Sequence, residues 1–156
     1  MLAFTSADDL RAEPDARRFW VLAVLLALRE KATRLEVRFG DGDAILYHRV
    51  DGRDWELAAV SEELFPEIKP ALRGVCRLVA PERPDFTVTA GLPDARVEPQ
   101  EIGWLTFELD QRLVDLAVRI DPREPYGHVQ IDIEYPDEAG LGGLAGQALD
   151  DYYEAA

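Results

Sequence analysis

The chain has few of the residue types on which most catalytic and metal sites depend. Its 156 residues include one cysteine, two histidines, two lysines and two serines. The histidines form no HExxH or HxH pattern, neither lysine completes a GxxxxGK[ST] phosphate-binding loop, and neither serine lies in a GxSxG motif. We therefore predict no enzymatic activity, with no catalytic residue, no cofactor and no metal site.

The single cysteine, Cys76, excludes an internal disulfide and suits a reducing compartment. Its neighbours Val75, Leu78 and Val79 are apolar, so we expect a small core residue rather than a nucleophile.

A long apolar run is also absent. Residues 19–28 are apolar but only ten residues long and lie between charged residues, which is too short to span a bilayer. We expect a buried helix there, no signal peptide, no membrane insertion and a cytoplasmic location.

Positive charge is scarce as well. The chain has 17 Lys and Arg against 31 Asp and Glu, for a net charge of −14. This balance argues against binding to nucleic acid or to an anionic membrane, because phosphate contacts need clustered basic residues. It permits a basic partner surface, although solubility alone is the ordinary explanation of such a charge.

The pattern that is present predicts one domain over residues 1–156. Residues 1–14 are expected to form a loose arm or a short helical turn, 15–135 an α+β core, and 136–156 an acidic C-terminal tail or helix. Within the core, helices are predicted at 15–31 and at about 67–79, and Pro-rich residues 80–102 form the least regular region. Period-two alternation predicts six strands, at 33–39, 44–50, 55–60, 103–109, 114–120 and 129–135.

Short turns join these strands, at Gly40–Asp43, Asp51–Gly52 and Asp110–Gln111, which implies antiparallel pairing. The alternation implies that helices pack on one face of the sheet and that the other face is wet. The wet face would display a set of polar side chains: Arg34, Glu36, Arg38, Tyr47, Arg49, Asp115 and Arg119, with Gln130 and Asp132. Arg and Tyr are frequent interface anchors, but a mixed-charge face is also typical of an ordinary exposed sheet, so both interpretations stay open.

Two stretches resemble a known family. The segments Ala32-Thr33-Arg34-Leu35-Glu36-Val37 and Tyr47-His48-Arg49-Val50-Asp51-Gly52 are similar to the ASDIHIE…RYRIDG region of type II secretion and type IV pilus assembly ATPases. Further along, Gly103, Val114-Asp115-Leu116, Arg119 and Gly127-His128 resemble the DGR…VDLRVS…P…GE stretch of the same region. The likeness covers about residues 20–135 and belongs to the PAS-like N-terminal domain that precedes the motor in that family. It implies a PAS-like α+β domain with an antiparallel sheet.

The departures from the family pattern limit what the resemblance implies. Arg34 and Glu36 replace the Asp and His of ASDIHIE, Tyr47 replaces the first Arg of RYRIDG, and His128 replaces the Glu of GE, while a later strand arginine corresponds to Asp132. The 156 residues contain no Walker A loop, Walker B strand or histidine box, so the ATPase activity does not carry over. In the family, arginines of this domain approach nucleotide held by the motor, and only Arg49 and, less directly, Arg119 match them.

Two functions follow as expectations. The first is a non-catalytic interaction, adaptor or regulatory domain that docks a protein component of a secretion, pilus or motility machine, with self-association left open. The second is a PAS-like sensor that holds a small ligand between the sheet and residues 80–102, where Trp55, Trp104 and Tyr126 are the only marked handles.

Overall fold

A computed structural model describes residues 1–79, 100–123, 127–135 and 140–154. The strands are β1 (Leu2–Phe4), β2 (Arg34–Phe39), β3 (Ala44–Val50), β4 (Arg53–Ala59), β5 (Arg77–Val79), β6 (Glu101–Leu109), β7 (Arg112–Ile120) and β8 (Gly127–Asp132). The helices are α1 (Ala7–Ala12), α2 (Asp15–Glu30), α3 (Ile68–Val75) and α4 (Leu141–Glu154), with a short 3-10 turn at Phe65–Glu67 before α3. The fold is α+β, as predicted.

The strands form one open, mixed sheet in the order β1-β6-β7-β8-β2-β3-β4, and β5 also pairs with β6. All pairs are antiparallel except β1 with β6, which is parallel. The final strand, β8, lies between β2 and β7, so residues about 100 positions apart in sequence become neighbours at the centre of the sheet.

Tight turns set the register of the two hairpins beside this centre. Asp51 and Gly52 join β3 to β4 with φ of 52° and 76°, and Asp110 and Gln111 join β6 to β7 with φ of 50° and 64°. Positive φ at both central residues of a two-residue loop is the geometry that matches the twist of a hairpin. The register is therefore Val50 opposite Arg53 in one hairpin and Leu109 opposite Arg112 in the other.

The core lies on one face of the sheet, beneath the helices. Alternate strand residues such as Leu35, Ile131, Leu116 and Phe107 are fully buried there, and α2 contributes Val24, Leu25 and Leu28. The Trp20 indole donates a hydrogen bond of 2.9 Å to the Ile68 carbonyl and so ties α2 to α3. The helices α2 and α4 pack on each other above the sheet. In the described parts of the chain, no helix is long and apolar enough to cross a membrane.

The sheet differs from the predicted one in having eight strands, one of them parallel, rather than about six antiparallel strands. The two additional strands, β1 and β5, have three residues each, which is too short for a recognisable alternation. They share one edge of β6, where Leu2 pairs with Phe107 and Leu78 with Gly103. A β carbon on Gly103 would lie 2.3 Å from the Arg77 carbonyl oxygen, so β5 approaches β6 through a glycine.

The N-terminal end of the chain has a short helix, one of its two expected alternatives, and a strand before it. Residues 1–14 contain β1 and α1, Leu2 is 1% exposed, and the Met1 amino group donates to the Val75 carbonyl at 2.8 Å. The predicted helix near 67–79 ends at Val75, because the chain turns into β5 at Arg77. At the C-terminal end the helical alternative is the one observed, over Leu141–Glu154. Residues 80–99, most of the predicted irregular region, lie outside the described residues.

Candidate functional site

Six of the seven predicted site residues lie close together across the polar face of the sheet. Arg34, Glu36 and Arg38 alternate along β2, and the register places Arg34 opposite Arg49 and Glu36 opposite Tyr47 on β3. On the other side of β2, Glu36 is opposite Gln130, and Gln130 is opposite Arg119 on β7. Arg119 is thus two strands from Glu36, about 10 Å at the usual strand spacing.

Asp115 lies apart from this group. It is four residues from Arg119 along β7, about 13 Å at the rise of a strand, and beyond the end of the β7–β8 pairing. Its carboxylate accepts a hydrogen bond of 2.8 Å from Thr106 on β6. Asp115 therefore belongs to the same face but not to the cluster.

The densest part of the face is a set of five side chains on β2, β3 and β4, here called the polar patch: Glu36, Arg38, Tyr47, Arg49 and Asp54. Arg49 Nε donates to Asp54 Oδ1 at 2.9 Å, and Arg38 Nη2 donates to Asp54 Oδ2 at 3.1 Å. Arg38 Nε also donates to Glu36, and its guanidinium carbon lies 4.1 Å from the centroid of the Tyr47 ring. Two arginines and two carboxylates thus hold one another around a tyrosine.

Asp54 is the member of the patch that sequence analysis missed. A two-residue loop at Asp51-Gly52 forces Arg49 opposite Asp54, so the turn itself carried the signal. The hydrogen bond from Arg49, more than the one from Arg38, lowers the pKa of the Asp54 carboxyl. The hydrogen bond with Asp54 raises the pKa of Arg49, and the hydrogen bond with Glu36 raises that of Arg38. Asp54, Arg38 and Arg49 are therefore charged at neutral pH.

Arg34 belongs to a second ion pair at the centre of the sheet. Its Nε donates to Asp132 Oδ1 at 3.0 Å, and Gln130 donates to the other Asp132 oxygen at 3.0 Å. Asp132 on β8 is thus engaged with the neighbouring strand β2 and with Gln130 of its own strand. Within the described ranges, no three His, Cys, Asp or Glu side chains come together in a way that could hold a metal ion.

Cys76 is half-buried just after α3, and burial raises the pKa of its thiol to about 11. A thiol with such a pKa is a poor nucleophile at neutral pH, in keeping with a packing role.

The ligand site predicted between the sheet and residues 80–102 involves 80–99 and Tyr126, which lie outside the described residues.

Comparison with known proteins adds no relative. No family model matches the chain, and no curated protein matches it.

Proposed function

We propose that this domain is a non-catalytic protein-interaction module, an adaptor or regulator, that docks a protein partner through the polar patch. The observation that carries this proposal is the position of Asp54, whose carboxylate accepts hydrogen bonds from two arginines, Arg49 on both oxygens and Arg38 on Oδ2. This arrangement holds Arg38 and Arg49 side by side on the face of the sheet opposite the helices.

The composition of the patch suits protein recognition. Arg and Tyr are enriched among the residues that dominate binding energy, and here Arg38 already lies against Tyr47. Because the ion pairs limit the rotamers of both arginines before a partner arrives, less conformational entropy is lost on binding. The two arginines balance Glu36 and Asp54, so the patch is neutral within a chain of net charge −14.

We propose further, from the sequence resemblance, that this is a PAS-like domain related to the N-terminal domain of secretion and pilus ATPases. It would be cytoplasmic, and its partner would be a component of such a machine. The antiparallel core β3-β2-β8-β7-β6, with its first and last strands adjacent at the centre, supports this assignment. Arg49 and Arg119, the two arginines that match the family, share the polar face, which also supports it.

Affinity capture with the tagged chain tests the proposal. The baits are the wild type, Arg49→Glu in the polar patch, and Arg112→Glu as a matched charge reversal on an exposed arginine at the start of β7. Capture is carried out from native lysate at low and moderate salt, with identification by mass spectrometry. We expect a partner that the wild type and Arg112→Glu recover and that Arg49→Glu loses, while circular dichroism shows all three folded.

A second variant keeps an ion pair across the hairpin while it changes the recognition surface. The exchange Arg49→Asp with Asp54→Arg keeps opposite charges across the hairpin but reverses their positions and places an arginine beside Arg38. We expect it to fold like the wild type and still lose the partner. A folded Arg49→Glu bait that recovers the same proteins as the wild type would contradict docking through the patch. A patch-dependent partner unrelated to secretion, pilus or motility machines would keep the docking proposal and contradict the family assignment.

A further inference from the structure

A cleft opens on the opposite side of the β3–β4 hairpin from the polar patch. It has a volume of about 710 Å³ and lies between the C-terminal end of α2 and the helix-facing side of the hairpin. Leu26, Val50 and Leu57 supply its apolar lining, and its polar groups come from Arg29, Glu30, His48, Asp51 and Arg53, with Trp55 beside them. Its size falls within the range of small-molecule sites in proteins.

His48 is the unusual residue of this cleft. The side chain is 8% exposed, and within the described part of the chain its Nδ1 is enclosed without a hydrogen-bond partner. Burial lowers the pKa of His48, against a smaller opposing effect of Glu30, so the ring is neutral at pH 7. An enclosed N–H without an acceptor is costlier than an enclosed lone pair, which places the single proton on Nε2. Nε2 is not among the enclosed unpartnered atoms of the described residues, so it is an accessible donor on a residue that lines the cleft.

Two further groups stand beside this donor. Trp55 is directly opposite His48 across the hairpin and is 52% exposed, so its indole is accessible to a ligand. Arg53 lies two residues before Trp55, on the same side of β4, and among the described residues it has no hydrogen-bond or ion-pair partner. By contrast, Arg29 on the α2 side is paired with Glu30 at 3.0 Å.

We propose that this cleft binds a small aromatic anion, meaning a planar ring that stacks on Trp55 and carries an anionic group held by Arg53 and by His48 Nε2. The ring accounts for the exposed indole, and the anionic group accounts for an unpaired cation beside an unpaired donor. Of the carboxylates that line the cleft, Glu30 is paired with Arg29 at 3.0 Å. Asp51 lies in the turn at the tip of the hairpin, beyond Arg53.

The test uses 8-anilinonaphthalene-1-sulfonate, a fluorescent aromatic anion, titrated into the folded full chain. Its neutral counterpart, N-phenyl-1-naphthylamine, has the same ring system without the sulfonate. We expect saturable one-to-one binding of the anion. Arg53→Gln should weaken binding of the anion by about tenfold, the usual contribution of a charge-assisted hydrogen bond, and leave the neutral probe unaffected. Trp55→Ala should weaken both probes.

Matched controls lie elsewhere on the surface. Trp104 is 49% exposed on β6 and Arg77 is exposed on β5, and neither lines the cleft. Trp104→Ala and Arg77→Gln should leave both titrations unchanged. His48→Phe removes the donor and keeps a ring, so anion binding should fall while the unfolding midpoint in urea does not. Competition by 1-naphthoate and by 1-naphthyl phosphate then distinguishes a carboxylate ligand from a phosphate ligand.

Absence of saturable binding would overturn the proposal. An equal loss of probe binding in Trp104→Ala and Trp55→Ala would also overturn it, as would an Arg53→Gln variant that binds the anion as tightly as the wild type. The result does not depend on the polar patch, because Arg49 and Asp54 face the other side of the hairpin.

Discussion

The guanidinium carbon of Arg38 lies 4.1 Å from the centre of the Tyr47 ring, across the pair of strands β2 and β3. The contact joins a cation–π interaction to two ion pairs, since the same guanidinium donates to Glu36 and to Asp54. A network of this kind fixes the direction in which Arg38 points, and the proposed recognition through the patch would depend on that direction.

Tyr47→Leu should therefore reduce partner binding by about tenfold or more, the loss typical of an anchor residue, because it removes the ring on which Arg38 rests. Tyr47→Phe keeps the ring and should bind like the wild type. The measurement is the dissociation constant for the partner recovered by capture, obtained by isothermal titration. Equal binding by Tyr47→Leu and Tyr47→Phe would show that the ring has no part in recognition.

The exposure of this face could be predicted from sequence. The ion pairs between its side chains could be predicted only in part. Alternation placed Arg34, Glu36 and Arg38 on one side of a strand, because successive side chains point to opposite faces. The two-residue loop at Asp51-Gly52 was enough to predict that Arg49 lies opposite Asp54. The pair Arg34–Asp132 could not be found this way, since it joins strands 98 residues apart that meet only after β8 inserts beside β2.

The strands also divide into those that alternation in the sequence predicts and those that it does not. The six longer strands match the alternating segments to within a few residues, whereas β1 and β5 have three residues each and exist through pairing with β6. Their positions depend on distant contacts, such as the bond from the Met1 amino group to Val75 and the close approach of Arg77 to Gly103. Local patterns carry no information about contacts of this kind.

Lys69 is another residue whose environment local sequence does not reveal. It is 1% exposed, and its ammonium donates to the carbonyls of Asp121 and Arg123 at 2.8 and 2.7 Å, 5.0 Å from the Phe39 ring centre. Lys69→Ala should lower the free energy of unfolding by about 2–4 kcal/mol, because it leaves buried carbonyls without a donor and opens a cavity. Lys31→Asn serves as the control, because Lys31 is the only other lysine and is exposed at the end of α2. Its φ is 57°, a backbone conformation that Asn tolerates. Equal urea midpoints for Lys69→Ala and the wild type would contradict a structural role for this amine.

His48 predicts a dependence of stability on pH. Burial lowers its pKa below the usual value of about 6.5, so below pH 6.5 the unfolded chain binds a proton that the folded chain does not. The corresponding stability is complete above pH 6.5 and is lost as the pH falls from there towards the folded-state pKa, by at most about 1.4 kcal/mol per pH unit. Urea unfolding between pH 7.5 and 5.5, above the range in which most carboxylates titrate, measures the slope.

The variant for this experiment is His48→Phe, which removes the titratable ring and should flatten the profile over this range. A wild-type profile with no slope between pH 7.5 and 5.5, or a slope that His48→Phe retains, would contradict the assignment to His48.

The glycines of α4 predict opposite effects of the same substitution at adjacent positions. A β carbon on Gly143 would meet no atom within 4 Å, so Gly143→Ala should stabilise the domain by up to about 1 kcal/mol through the higher helix propensity of alanine. A β carbon on Gly142 would lie 3.2 Å from the Leu28 carbonyl oxygen of α2, so Gly142→Ala must push two packed helices apart and should give no gain or a loss. Thermal unfolding of the two variants beside the wild type measures the difference. A higher midpoint for Gly142→Ala than for Gly143→Ala would mean that α4 does not pack against α2 through Gly142.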